Sequence, residues 1–183
     1  MTRTQAITLY GATLLIFAAM TPLRCWLQSK IGMEYQTPDL MFGLDVTSLA
    51  TFREAMAQPV GNWTGGDWFR LMHTYTLDLA LPAMTGLSFG VFFLRAARKL
   101  PNFAMMERKA QLMAAFIVGF PAVMVDYMEN YQVWKLISGP DAPDAHIAGV
   151  ISVLTTLKFS CLVFGATVCL TFALASLRTR TKS

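Results

Sequence analysis

"MAAFIVGFPAVMVDYMENYQVW", residues 113–134, is the stretch on which the fold turns. Its first thirteen residues are apolar or small and suit hydrocarbon. Asp126, Glu129 and Asn130 then follow at i, i+3 and i+4, a spacing that puts them on one side of a helix. A helix built for lipid therefore ends its course with two carboxylates and an amide in line, and those groups need a place away from alkyl chains.

The rest of the chain has the same character. Of 183 residues, 55% are hydrophobic and 14% charged, against about 25% charged in an average soluble domain. The mean hydropathy is +0.46. Four apolar segments, roughly 6–23, 74–95, 111–134 and 148–176, reach the ~20 residues that a spanning helix needs. The predicted fold class is all-α, a single-domain four-transmembrane-helix bundle. The first segment follows Arg3 in the manner of a signal peptide, but "AAMTPLRCW" (18–26) offers no small-x-small cleavage site. It is read as a retained helix ended by Pro22.

Basic residues set the expected orientation. Arg3, Arg95, Arg98, Lys99, Arg108, Lys109, Arg178, Arg180 and Lys182 fall on one side of the membrane. Arg24, Lys30, Arg53, Arg70 and Lys135 are spread over a longer stretch on the other. The positive-inside bias puts both termini and the 96–110 loop in the cytoplasm, with 24–72 and 135–147 outside. The net charge of +4 is absorbed by this bias, so no nucleic-acid partner is expected. Cys25, Cys161 and Cys169 lack CxxC spacing, so neither a disulfide framework nor a metal site is expected. His73 and His146 fall at outer helix ends, as interfacial polar residues rather than ligands, and no cofactor is expected.

The outer 24–72 segment is too long for a plain connector. Within it "LDVTSLATFREAMAQ" (44–58) predicts an amphipathic helix over about 45–58, with Asp45 as N-cap and Leu49, Phe52 and Met56 on its apolar face. It is expected to lie along the membrane surface, as a lid over the bundle or as a cover for loop backbone. "PVGNWTGGDW" (59–68) breaks it. Trp26, Trp63, Trp68 and Trp134 all fall outward, as an interfacial belt would.

Helical rise gives depths. Glu129 comes roughly 8 Å below the outer interface, Asp126 roughly 12 Å, Asp78 roughly 8 Å and Lys158 roughly 15 Å. Three carboxylates and one ammonium on three spans thus overlap in depth. They also share faces: Ala115, Gly119, Ala122, Asp126 and Glu129 on the third span, Thr155, Lys158, Leu162, Gly165 and Cys169 on the fourth, and Asp78, Pro82 and Thr85 with Gly86 and Gly90 on the second. The small residues permit close helix approach. Each lipid-facing charge costs about 2.5–3.5 kcal/mol on insertion scales, so the four are expected to meet, with Lys158 paired to Asp126 or Glu129. One cation against three potential anions is unbalanced, and the cluster is expected to hold an extra proton. Pro82 cannot donate to the carbonyl of Asp78, nor Pro121 to that of Ile117.

These elements resemble an uncharacterised family of bacterial four-helix integral membrane proteins. The matching stretches are "GLDVTSLATF" (43–52), Tyr-x2-Asp-x3-Pro in "YTLDLALP" (75–82), Asp-x2-Glu-Asn in "DYMEN" (126–130) and Thr-x2-Lys in "TTLKF" (155–159), over roughly 40–177. The resemblance implies a bacterial inner-membrane protein and supplies no activity.

Three functions remain open on this evidence. The charges can be a staple fixing helix register in an accessory or assembly subunit, with a membrane-protein partner or a second copy. They can instead line an outward pocket for a membrane lipid or small amphiphile, where Tyr75, Asp78, Asp126, Tyr127, Glu129, Asn130 and Lys158 contact the ligand. If such a pocket belongs to an enzyme acting on a lipid-like substrate, the catalytic candidates are Asp78, Asp126, Glu129 and Lys158, with Tyr127 and Asn130 orienting. Proton or ion translocation is the third, against which the stripes turn apolar or small toward the cytoplasm.

Overall fold

The computed structural model describes residues 2–139 and 143–180, with the side chains of Asp39, His73, Thr74, Thr179 and Arg180 outside the description. Lys182, counted above among the basic residues, also lies outside it. Among the described residues four helices are long and apolar enough to cross a membrane. The chain is an all-α membrane bundle. Among the described residues, segments 24–72, 135–139 and 143–147 cluster at one end, called here the loop-rich end; the start of the first span, the 96–110 turn and the last turns of the fourth span form the basic end.

The first span, α1 (Arg3–Ile31), starts at a capping box in which Thr2 accepts from the Gln5 N–H and the Gln5 side chain accepts from that of Thr2. It does not stop at Pro22. The proline costs the helix one hydrogen bond, to Ala18, and the next nine residues continue until Gly32, which adopts φ 72°. Leu27, fully buried in the loop-rich core, holds those last turns in place. The rest of α1 is peripheral. Its apolar residues, such as Leu14, Leu15 and Phe17, stay exposed for lipid, and it packs chiefly on α4 (Asp78–Ala97), where Thr13 and Ser88 share a 3.1 Å hydrogen bond.

Beyond α1, a short 3₁₀ turn (Pro38–Leu40) leads to α2 (Val46–Ala57), capped by Asp45, whose carboxylate accepts from the Ser48 N–H at 2.7 Å. The apolar face expected from the sequence is present: Leu49, Phe52 and Met56 are buried. It faces the bundle rather than lipid. Those residues join Leu27, Tyr35, Phe69, Val133, Leu136 and Ile151 in one core that closes the loop-rich end. A hairpin of two-residue strands, β1 (Pro59–Val60) and β2 (Trp63–Thr64), turns at Gly61 with φ 66°. Trp63 and Trp26 both contact Trp68, at 4.8 and 5.2 Å between ring centroids. The second span begins earlier than residue 74. Thr64 caps α3 (Gly65–Phe69), and a π-helical segment (Arg70–Leu77) joins it to α4. A short α5 (Pro101–Ala104) makes the basic-end turn before α6 (Arg108–Ser138) and α7 (Ala145–Arg180).

Helices α4, α6 and α7 make the central contacts. Their small residues let the backbones touch. A Cβ at Gly119 of α6 would collide with the Gly86 carbonyl of α4, and one at Gly86 would sit 2.8 Å from the Gly119 carbonyl oxygen. One at Gly165 of α7 would lie 2.9 Å from the carbonyl oxygen of Val118. Gly149, by contrast, has open space around it.

Replacing Gly119 with Ala is therefore expected to weaken the fold in a detergent unfolding titration, by about 1–3 kcal/mol of overpacking. The same change at Gly149 is expected to raise stability by roughly 0.5–1 kcal/mol through helix propensity. A second expectation concerns pH. Burial pushes the Tyr35 phenol up to about 12 from 10, partly opposed by the Arg24 charge. The folded chain thus keeps a proton that the unfolded chain releases above pH 10, and stability falls between pH 10 and 12. Ultraviolet titration should find that late phenol in wild type, and Tyr35→Phe should flatten that part of the pH profile.

Candidate functional site

One turn of α6 and one of α7 build the ionic centre. Asp126 and Glu129 are three residues apart, as are Thr155 and Lys158, so each helix offers a matched pair to the other. The Lys158 Nζ lies 2.5 Å from Glu129 Oε2 and 3.2 Å from Asp126 Oδ1. The other Glu129 oxygen, Oε1, accepts from the Thr155 hydroxyl, which also lies 3.0 Å from the Ile151 carbonyl oxygen. Glu129 and Thr155 have no exposed surface at all, whereas the Asp126 side chain keeps 21% of its own.

The two expected orienting residues reach α4 instead of the charges. Pro82 leaves the Asp78 carbonyl without its helical donor, and the Asn130 amide approaches that oxygen at 3.5 Å, the outer limit of a hydrogen bond. The Tyr127 hydroxyl donates to the neighbouring carbonyl of Leu79 at 2.6 Å. Both side chains thereby tie the kinked start of α4 to α6. They position Asp78, the first residue of α4.

Asp78, Asp126 and Lys158 line one cavity of about 200 Å³. Its other walls are apolar: Leu81 and Pro82 of α4, Val123 of α6, Leu162 of α7, and Phe17 and Met20 of α1. The cavity starts beside Gly86, where α4 and α6 touch, and rises to Asp78. Eight residues of helix make that about 12 Å. Glu129 does not line it. A larger cavity of about 560 Å³ lies near the surface of the loop-rich end, with polar walls that include Arg24, Glu34 and Thr51, and meets the first only at Leu40.

Of the residues singled out in the sequence, Asp78, Asp126, Glu129 and Lys158 with Tyr127 and Asn130 come together. Tyr75 does not: it sits on the π-helical segment, 60% exposed, and is not among the cavity's walls. His146 is exposed at the start of α7, and the side chain of His73 lies outside the described residues. Sequence reasoning missed the contribution of α1. Phe17 and Met20 carry no polar mark that distinguishes them from lipid-facing neighbours, so their spacing gives no signal. The role of Thr155 was available in the Thr-x2-Lys spacing.

No family model, curated protein or solved structure matches the chain.

The ionic centre makes a direct prediction. Lys158→Met alone leaves Asp126 and Glu129 facing each other in an apolar interior and is expected to cost about 3–5 kcal/mol. Adding Asp126→Asn and Glu129→Gln should recover most of that loss in the same unfolding titration. A single Lys158→Met variant as stable as wild type would mean the contact contributes nothing.

Proposed function

We propose that the protein is a membrane-embedded binding protein for a small amphiphile. An apolar portion of the ligand lies in the cavity between α1, α4, α6 and α7, and its polar group meets Asp78, Asp126 and Lys158. The observation that carries this reading is the division among the acids. Lys158 and Thr155 hold Glu129 in full burial, which is enough for a staple, yet Asp78 and Asp126 line an apolar-walled cavity as well. A chain needing only fixed helix register would be served by the first arrangement.

The size of the cavity bears on the ligand. About 200 Å³ is below the ~300–1,000 Å³ that encloses a drug-sized molecule, so it takes a headgroup or a short apolar segment rather than a whole lipid. The resemblance noted in the sequence supports the same place, since its second-, third- and fourth-span elements supply Asp78, Asp126 and Lys158. The Lys/Arg bias and that resemblance together support a bacterial inner membrane with both termini cytoplasmic. A purely structural network in an accessory subunit is the second reading, favoured by the complete burial of Glu129.

Mass spectrometry of solvent extracts from purified protein decides between them. Wild type should carry a co-purifying amphiphile, and Asp78→Asn with Asp126→Asn should remove it while helix content and unfolding midpoint hold. Thr85→Phe, which fills the cavity without altering a charge, should remove it too. If wild type carries nothing beyond bulk lipid, or the variants retain the same compound, the binding reading fails and the structural one stands.

A further inference from the structure

At the basic end two adjoining cavities share Tyr10 and Phe92. One, of about 260 Å³, is lined by Arg95 of α4, by Lys99 in the turn that follows it, and by Ser176 and Leu177 of α7. The other, of about 330 Å³, runs on toward the middle of the bundle past Ser88 and Phe89 of α4 and Ala166 and Leu170 of α7. From Ala166 to Leu177 is eleven residues of α7, a rise of about 16 Å. Half of a ~30 Å hydrocarbon core is about 15 Å. The pair of cavities therefore has the length of a single leaflet, with its charged mouth at the end where the leaflet's headgroups lie.

The charge there has one sign. Arg95 and Lys99 line the mouth, and among the described residues no carboxylate does. Arg95 uses one guanidinium nitrogen on the Thr2 carbonyl, at 3.1 Å, and a guanidinium keeps further donors beyond that. The Tyr10 hydroxyl, common to both cavities, is buried and has no hydrogen-bond partner among the described residues. An unsatisfied buried hydroxyl is unfavourable, and an acceptor oxygen at this point would relieve it. Deeper in, the walls are aromatic and aliphatic.

We propose that this groove between α1, α4 and α7 is a binding site for one anionic phospholipid. Its phosphate meets Arg95 and Lys99, its glycerol ester region meets the Tyr10 hydroxyl, and an acyl chain runs along Phe89 and Ala166. Basic pockets between spanning helices at a headgroup interface are known to hold such lipids. The site differs from the acidic cavity in place, in charge and in residues, so neither depends on the other.

The test is native mass spectrometry of full-length protein released from mixed micelles holding equal phosphatidylglycerol and phosphatidylcholine. Wild type should retain phosphatidylglycerol with a preference of up to roughly thirtyfold, the effect expected from two nearby basic side chains. Lys99→Gln should reduce that preference, Arg95→Gln with Lys99→Gln should bring it close to one, and Arg95→Lys with Lys99→Arg should keep it. Ala166→Phe, filling the apolar groove at an exposed position, should lower retention without reversing the preference. Lys99 is exposed, so its variant also serves as a folded control. Equal retention of the two lipids by wild type overturns the proposal, as does a preference untouched by the double glutamine variant. Full displacement of the lipid by inorganic phosphate at matched concentration also overturns it, because the site would then be one for a soluble anion.

Discussion

Lys158 is the charge around which the bundle has to be arranged. In the sequence nine basic residues flank the spans on one side and five on the other, and Lys158 is the one that falls deep within an apolar span. An ammonium there is costly unless an anion is close, and a carboxylate there is costly unless a cation is. Lys158 offers one compact charge on a flexible stem, and with it neutralises much of two carboxylates on α6 together. The register of α6 against α7 is fixed as a result. A slip by one residue would rotate Glu129 by about 100° around its helix and expose both partners to hydrocarbon. Thr155 makes the fit stricter still, since its hydroxyl serves Glu129 from the same face of α7.

Close helix contact makes that arrangement affordable in space. Gly86, Gly119 and Gly165 bring the α4, α6 and α7 backbones together below the charges. Without side chains in that layer the helices can pack tightly in a solvent that supplies no hydrophobic drive of its own. Above the layer, Pro82 interrupts the hydrogen bonding of α4, and the π-helical segment (Arg70–Leu77) widens its approach. Asn130 then approaches the carbonyl of Asp78 that Pro82 leaves free, and Tyr127 donates to that of Leu79. The cavity is the space left between a glycine contact below and a kinked, tied helix above.

Much of this was legible before any coordinates. Hydropathy and length were enough for the four spans, and the steps of three and four were enough to bring Asp126, Glu129 and Lys158 together, because lipid excludes nearly every alternative for a charged side chain. The α2 helix was legible from Asp45 and its Leu49, Phe52 and Met56 spacing. What escaped the sequence is what depends on surroundings. The run of α1 through Pro22 rests on a core that forms only when Leu27 meets α2. The start of the second span at Gly65 rests on a Thr64 cap hidden in a stretch rich in turn residues. Tyr75 was read as part of the site from its position before Asp78, but helical phase across a π segment differs from that of an α-helix, and the ring turns outward. For Phe17 and Met20 there was nothing to read, since an apolar side chain facing a cavity looks the same in sequence as one facing lipid.

The distribution of charge across the bundle carries one more consequence. Toward the loop-rich end, the apolar cavity has two carboxylates and a shared amine on its wall; toward the basic end, the groove has a guanidinium and an ammonium with no acid beside them. An oxyanion is repelled by the first and drawn to the second, and a hydrogen-bond donor or cation prefers the reverse. Between them lies the glycine layer, where the α4 and α6 backbones meet at Gly86 and Gly119, so the two oppositely charged regions are held apart by the tightest glycine contact in the bundle.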